Sequence, residues 1–370
     1  MDNTLKIPFY AKSALIFVSV FAFVFVMYIG QDIIIPIVYA TIFAILLNPM
    51  VNFLIRKRMS KIMAISIVLA IAVIVVLILF YLFFSQLSMF SKSFPQFKVK
   101  LDLANDRLVS WASHELGYRP SKINKWISET QSQAISSYAN GETLSQLGQF
   151  TITVVLIPVY LFMMLYYKSL LLEFIRKLFR SEHHSAVVEV LANSKNIIQS
   201  YLVGLFFEML IMAVLNSAGL LILGIDYAII LGILCAVLNV IPYIGGVVAT
   251  ILPMIIAFVT KDSLLYPVLV LVITIVIQFI DNNLIVPKIV ASRVQINALI
   301  SIIAVLIGGA IWGVAGMFLS IPLIAILKVI FDHIEPLKPW GFLFGNIVPT
   351  ASKFSFIKRN KPSTINSSSF

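Results

Sequence analysis

The chain has 370 residues, of which 60% are hydrophobic and only 12% are charged, whereas soluble domains carry about 25% charged residues. This composition excludes an ordinary soluble globular protein and predicts an all-α polytopic membrane protein. The net charge of +11 is compatible with a nucleic-acid partner, but basic residues also collect in the cytoplasmic loops of membrane proteins. The positions of the basic residues along the chain distinguish these two explanations.

Six apolar runs are each long enough for a helix of about 20 residues that crosses a bilayer. They cover residues 13–29, 33–55, 62–84, 150–167, 201–224 and 264–286. With two further interrupted segments, described below, this gives about eight membrane segments. Residues 1–84 are therefore predicted to hold three N-terminal spans, and residues 150–200 a fourth span followed by a cytoplasmic connector.

The section between the third and fourth spans, residues 85–149, is polar enough to lie outside the membrane. Apolar residues recur there with helical spacing at Leu101, Ala104, Leu108 and Trp111, which predicts a small extramembrane, periplasmic helical domain.

The positions of the basic residues predict the orientation. One short loop holds Arg56, Lys57, Arg58 and Lys61 without an acid, and the tail, residues 333–370, carries five Lys or Arg against Glu335 alone. Both segments, and with them both termini, are expected in the cytoplasm. Because the positive charge follows topology, we expect the lipid bilayer and no nucleic acid as a partner.

Two long apolar runs, residues 227–260 and 297–330, are interrupted in the middle and look like weak copies of each other. Together with the span between them they belong to a predicted transport core, residues 201–332. The residues at or near the breaks are Pro242, Gly245, Gly246, Gly308, Gly309, Gly313 and Gly316. Broken helices expose backbone groups that can bind ions or polar groups, but glycines also allow close helix packing. Both interpretations stay open, as does the choice between re-entrant hairpins and pairs of short spans.

Polar residues end the span between these runs, in the stretch QFIDNNLIVPK that begins at Gln278. Helical spacing places Gln278, Asp281 and Asn282 on one face and Asn283 on another. Pro287 is expected to end the helix at Val286. Because acids inside a membrane are costly, Asp281 is a candidate ion-coupling residue; the alternative is that these side chains join neighbouring helices.

Glu208 is the second acid at membrane depth, near the middle of its predicted span and apart from other polar residues. A role in ion coupling and a hydrogen bond between helices are equally compatible with its position. Asp32 and Asp226 fall in short turns, where they are expected to be solvated.

Several phrases occur in an order that resembles the autoinducer-2 exporter family of bacterial inner-membrane permeases. They are LNVIPYIGG from Leu238, DNNLIVPKIV from Asp281 and LIGGAIWGVAGMFLSIPLIAILK from Leu306. The resemblance implies a homo-oligomeric secondary carrier of the bacterial inner membrane, and for different members export of a small signalling molecule or exchange of sodium or lithium for protons. The family often has a Gly-Gln pair where this chain has Gly204-Leu205, with Glu208 four residues past the glycine.

The sequence shows few other signals of catalytic or metal-binding chemistry. A GxxxxGK[ST] phosphate loop is missing, which disfavours ATP hydrolysis by this chain. The single cysteine, Cys235, and the four histidines have no metal-ligand spacing, so no cofactor, metal site or enzymatic activity is expected.

The sequence thus favours a secondary transporter that couples export of a small polar molecule or signalling compound to an ion gradient. The alternatives are a sodium or lithium/proton antiporter, a passive channel, and a non-transporting scaffold whose function resides in residues 85–149.

Overall fold

The computed structural model of the protein describes residues 8–82, 84, 85, 88, 99, 155–242, 244–261, 263, 265–291 and 294–346. Within these ranges the regular elements are helices. Six of them are long and apolar enough to cross a membrane, or seven if one bent pair is counted as a span. The prediction of an all-α polytopic membrane protein is confirmed. Apart from residues 85, 88 and 99, the predicted domain at residues 85–149 lies outside the described residues, as does the tail beyond residue 346.

The N-terminal part of the chain contains three long helices. They are α1 (Phe9–Ile29), α2 (Gln31–Arg56) and α3 (Lys61–Leu82). Only Gly30 separates α1 from α2, and the short basic loop joins α2 to α3. Their apolar surfaces are largely exposed, as expected of helices whose solvent is lipid.

The segment that follows the fourth span is helical. The fourth span, α4 (Val155–Tyr166), bends by 69° into α5 (Lys168–Leu178), an amphipathic helix with no buried residue. The next helix, α6 (His184–Ile222), has 39 residues and begins far before the apolar run at residue 201. At 1.5 Å per residue α6 is about 58 Å long, nearly twice the hydrocarbon thickness of about 30 Å, so its polar N-terminal half extends beyond the membrane.

Lysines gather at the end of the helix bundle that the positive-inside rule assigns to the cytoplasm. Lys168 Nζ donates to Asn48 Oδ1 at 2.9 Å, and Lys61 Nζ donates to the Tyr166 carbonyl at 2.6 Å. Burial lowers the pKa of Lys168, and repulsion from Lys195 and Lys61 lowers this pKa further.

The first interrupted segment is a helical hairpin. Its arms are α7 (Ala228–Asn239) and α8 (Ile244–Thr260). The Cys235 thiol donates to the Ala249 carbonyl at 3.2 Å, so the arms run antiparallel. With 12 residues, α7 is about 18 Å long and too short to cross a bilayer, which agrees with a re-entrant hairpin.

The next helix, α9 (Leu265–Ile280), continues through two π-helical turns, Asp281–Ile285 and Pro287–Ala291. The prediction that Pro287 ends the helix at Val286 is wrong, because Val286 keeps helical dihedral angles (φ −55°, ψ −49°). Proline removes a backbone donor and its ring clashes with a regular turn, and here the wider π-helical turns accommodate it.

The second interrupted segment also doubles back. In α10 (Ala298–His333) the dihedral angles break at Trp312 and Gly313, where Gly313 has φ 59° and ψ −140°. A Cβ atom on Gly308 would lie 2.5 Å from the Gly316 carbonyl oxygen, although residues eight apart in a straight helix are about 12 Å apart. The two arms of α10 therefore pack against each other as a second hairpin.

The start and the end of this second hairpin lie together. The last helix, α11 (Lys338–Phe344), follows the end of α10, and the Phe344 carbonyl accepts from the Asn297 N–H at 3.1 Å. The Asn297 side chain also caps α10 by accepting from the Ile300 N–H at 2.9 Å. Both arms of α10 thus open at the same end of the bundle.

Helices α6 to α9 pack as an antiparallel set around the first hairpin. Leu220, Leu231, Ala257 and Val270, one from each helix, are buried in one cluster. An ion pair of 3.8 Å between Asp226 and Lys261 links the α6–α7 turn to the α8–α9 turn. The first hairpin therefore opens at the end of the bundle opposite to the basic loop between α2 and α3, and its tip points into the bundle.

Candidate functional site

A cavity of about 890 Å³ lies between the two hairpins and is completed by α6 and the π-helical end of α9. Most of its lining is apolar, which is typical of small-molecule sites with a few orienting polar groups. The polar residues that line it are Tyr201, Glu208, Asn239, Thr250, Gln278, Asp281, Asn282 and Ser301.

Asp281 is the most deeply buried acid among the described residues, with a side chain that is 1% exposed. Its Oδ2 accepts from Asn239 Nδ2 at 3.0 Å and from Gln278 Nε2 at 3.4 Å. Its Oδ1 is buried and has no hydrogen-bond partner in the described part of the chain. Because an unpaired buried oxygen is costly, Oδ1 is the natural place for a proton, a cation or a substrate donor.

The local helix geometry places this carboxyl group at the cavity. Asp281 opens the first π-helical turn of α9, a rare helix form that occurs frequently at functional sites. A Cβ atom on Gly204 would lie 2.8 Å from the Ile289 carbonyl oxygen in the second turn, so α6 crosses the widened segment closely. The crossing places Glu208, one helical turn from Gly204 along α6, on the same cavity.

Glu208 is not isolated, contrary to the prediction from its sequence neighbourhood. Its side chain is 7% exposed and lines the cavity together with Asp281. Distant segments of the chain thus bring both predicted acids into one site.

The predicted helical face around Asp281 is confirmed in part. Gln278 and Asn282 line the cavity, and Gln278 contacts the carboxylate directly. Asn283 is exposed and donates to the Phe279 carbonyl of its own helix at 2.8 Å. Asn283 is therefore outside the site, as its helical position indicated.

The residues at the breaks have different roles. Pro242 and Gly246 line the cavity, whereas a Cβ atom on Gly245 would overlap the Leu238 carbonyl in the other arm. In the second hairpin, Gly308 and Gly316 meet between the arms, Gly309 faces Met317, and Gly313 makes the break itself. Close packing between arms therefore accounts for Gly245, Gly308 and Gly316, whereas Pro242 and Gly246 lie at the cavity.

Asn239 was not among the predicted site residues, although it provides the shorter of the two hydrogen bonds to Asp281. It is the last residue of α7, at the tip of the first hairpin. The available signal was a lone amide in an apolar run three residues before Pro242. Thr250 and Ser301 were missed as well, because small hydroxyl residues are common throughout membrane helices.

Leu205 stands where the autoinducer-2 exporter family often has the glutamine of a Gly-Gln pair. In this chain Leu205 lines the cavity. An apolar side chain therefore occupies part of the wall in this chain, and Glu208 supplies the polar group one turn later on α6.

The site offers acid and amide groups rather than a metal centre. Among the described residues no group of three or more His, Cys, Asp or Glu side chains could hold a metal ion. Chemically, the arrangement can bind a small polar molecule against an apolar wall and can take up a proton or a monovalent cation at Asp281.

The chain is similar to known transport proteins. A family model described as AI-2E family transporter matches residues 16–335. The AI-2 transport protein TqsA of Escherichia coli (strain K12) is 24% identical over 320 residues, which are 82% of this chain and 87% of TqsA. In Bacillus subtilis (strain 168), YueF is 24% identical over 236 residues and YrrI is 34% identical over 134 residues. Those matches cover 63% and 36% of this chain, and 63% and 37% of the relatives' own lengths.

Proposed function

Because the chain belongs to the AI-2E transporter family, we propose that it is a secondary transporter of the bacterial inner membrane that couples export of a small polar molecule or signalling compound to an ion gradient. The observation that carries this proposal is the buried Asp281 carboxylate at a cavity between two helical hairpins. One oxygen of this carboxylate has no hydrogen-bond donor among the described residues.

The volume of the cavity suits a small solute. Its volume of about 890 Å³ lies within the range of about 300–1,000 Å³ for small-molecule sites. Hairpins that meet at a site can change access from one side to the other by moving as units. TqsA carries AI-2 transport in its name, so AI-2 is the first solute to test.

Asp281 supports coupling to an ion gradient because the carboxyl group can exchange a proton for another partner. When Oδ1 is protonated, it can donate a hydrogen bond; when it is not, it can accept one or contact a cation. Binding of a proton and of the solute can then influence each other through the same group.

The decisive experiment measures flux driven by a pH gradient in proteoliposomes that contain the purified protein. Asp281→Asn keeps the shape but cannot release a proton, so we expect gradient-driven flux to fall at least tenfold. Asp226→Asn is the matched control, because Asp226 is half exposed in a turn away from the cavity. Full flux by Asp281→Asn would contradict the proposal.

The same oxygen supports a second candidate function, exchange of sodium or lithium for protons. This function needs no organic solute in the cavity. Sodium-driven alkalinisation of vesicles that lack any added metabolite would favour the antiporter over the exporter.

We further propose that both termini face the cytoplasm and that the protein assembles as a homo-oligomer. The basic loop and tail support the orientation. The resemblance to the exporter family supports the assembly, which the mass of the purified complex in mild detergent tests.

A further inference from the structure

Two lysines lie where two membrane spans end next to each other. Lys61 immediately precedes the apolar run of α3, and Lys168 immediately follows the apolar run that contains α4. Lys61 Nζ donates to the Tyr166 carbonyl at 2.6 Å, two residues before Lys168 in the chain. Both lysines therefore lie at the boundary of the hydrocarbon core, where the layer of lipid headgroups begins.

Neutral oxygen atoms rather than acids hold these two lysines. Lys168 Nζ donates at 2.9 Å to Oδ1 of Asn48, a buried residue of α2. Within the part of the chain that the structure describes, neither Lys61 nor Lys168 has a carboxylate partner. The acid nearest to Lys168 in the sequence, Glu173, is paired with Arg176 at 2.7 Å. The positive charge at this boundary is therefore left for another partner.

Lys195 on α6 completes a group of three lysines. Burial of Lys168 and repulsion from Lys195 and Lys61 lower the pKa of Lys168, so the three ammonium groups are close enough to oppose one another's charge. All three lysines are exposed, so an anion can approach them. An anion placed between them would replace repulsion by attraction.

Helix α5 adds an apolar face beside the lysines. Leu170, Phe174 and Leu178 recur at intervals of four along one face of α5 and are 62%, 59% and 63% exposed. Because α5 has 11 residues and bends by 69° from α4, it is about 16 Å long and rises only about 6 Å along the axis of α4. The apolar face therefore stays near the depth of the lysines, where amphipathic helices contact lipid.

Apolar side chains are also exposed on the membrane side of the lysines. Ile62 and Met63, which follow Lys61 into the membrane, are 56% and 52% exposed, and Tyr167, next to Lys168, is 46% exposed. Positive charge and lipid-facing apolar surface are therefore continuous at this place.

We propose that the three lysines form a binding site for one anionic phospholipid. Its phosphate lies between Lys61, Lys168 and Lys195, and its acyl chains lie against the exposed apolar side chains of α3 and α5. Basic groups between membrane helices at the cytoplasmic side suit such headgroups, whereas a soluble anion would make no use of the apolar face. One headgroup thereby joins α3, α5 and α6. This assignment does not rest on the proposed transport function.

The test counts the lipids that remain bound to the purified full-length protein in native mass spectrometry. Phosphatidylglycerol is the probe, and phosphatidylcholine at the same concentration is the reference. We expect one phosphatidylglycerol per chain, retained at least fivefold more than phosphatidylcholine. Lys168→Gln keeps a donor for Asn48 but removes the charge, so it should lower retention of phosphatidylglycerol at least threefold.

Lys177→Gln is the matched control, because it removes the same charge from α5 at a side chain that is 75% exposed. Lys177 lies nine residues from Lys168 and therefore on the opposite face of the helix. This variant should retain phosphatidylglycerol as the wild-type protein does. If Lys168→Gln does not fold, Lys195→Gln removes a charge contributed by α6 and should lower retention by a similar factor.

Three outcomes would overturn the lipid site. The first is equal retention of the two lipids by the wild-type protein. The second is an equal loss in the lysine variants of the site and in Lys177→Gln, because attraction to the overall positive charge would then explain the binding. The third is displacement of phosphatidylglycerol by millimolar inorganic phosphate, which would indicate a site for free phosphate instead.

Discussion

Asn239, at the tip of the first hairpin, donates a hydrogen bond to the buried Asp281 carboxylate. Asn239→Ala removes the 3.0 Å hydrogen bond and leaves the longer one from Gln278. Because removing the partner of a buried polar group costs about 1–3 kcal/mol, we expect a clear loss of thermal stability in detergent and a severalfold loss of flux.

Asn283→Ala is the control for this change. Asn283 is two residues from Asp281 in the sequence but is exposed and bonded to its own helix. It should change neither stability nor flux measurably. Equal effects of both substitutions would mean that the contact between Asn239 and Asp281 does not matter.

The sequence identified part of the site because some residues carry a strong local signal. An acid inside an apolar membrane helix costs so much free energy that it is a functional candidate by itself. Gln278 lies on the same helical face as Asp281. Asn239 and Glu208 join Asp281 only through the meeting of three separate helices, which local periodicity does not reveal. The continuation of the helix past Pro287 was also missed, because π-helical turns have no sequence pattern comparable to a cap or a turn.

At the scale of elements, the first hairpin depends on close contact between its arms. A Cβ atom on Gly245 would overlap the backbone of Leu238, whereas a Cβ atom on Gly246 would lie 3.3 Å from Gln278 Oε1. Gly245→Ala forces the backbone of the two arms apart, and overpacking of this kind costs about 1–3 kcal/mol. We expect it to lower the unfolding temperature and the yield of folded protein.

Gly246→Ala provides the comparison within the same hairpin. Its new methyl group meets the end of a side chain, which can adjust by a few tenths of an ångström. We expect near-normal stability but reduced flux, because Gln278 contacts Asp281. Equal unfolding temperatures of the two variants would show that the tip of the hairpin is looser than its glycine contacts indicate.

The hairpins also show which features of elements a sequence can predict. Glycine and proline in the middle of long apolar runs indicated the two interruptions. They did not indicate that Gly245, Gly308 and Gly316 serve contact between arms while Gly313 alone adopts positive φ in the second break. Whether a glycine forms the break or packs between the arms depends on how the two arms contact each other.

At the scale of the whole molecule, the orientation in the membrane can be tested with single cysteines. Ser60 precedes α3 and Ser263 precedes α9, and each hydroxyl caps its helix. In intact cells a membrane-impermeant maleimide should label Ser263→Cys, whereas Ser60→Cys should react only after permeabilisation. The native Cys235 is 0% exposed and should contribute no background. Labelling of Ser60→Cys in intact cells would reverse the proposed orientation.

The length of α6 has a mechanical consequence. A helix of about 58 Å leaves about 28 Å outside a hydrocarbon core of about 30 Å, and the same rigid rod carries Glu208 at the cavity. A tilt of about 10° around the membrane surface moves the far end of a 28 Å rod by about 5 Å. A tilt of α6 as one body would therefore convert a small rearrangement around the buried acids into a displacement of several ångströms at its N-terminal end.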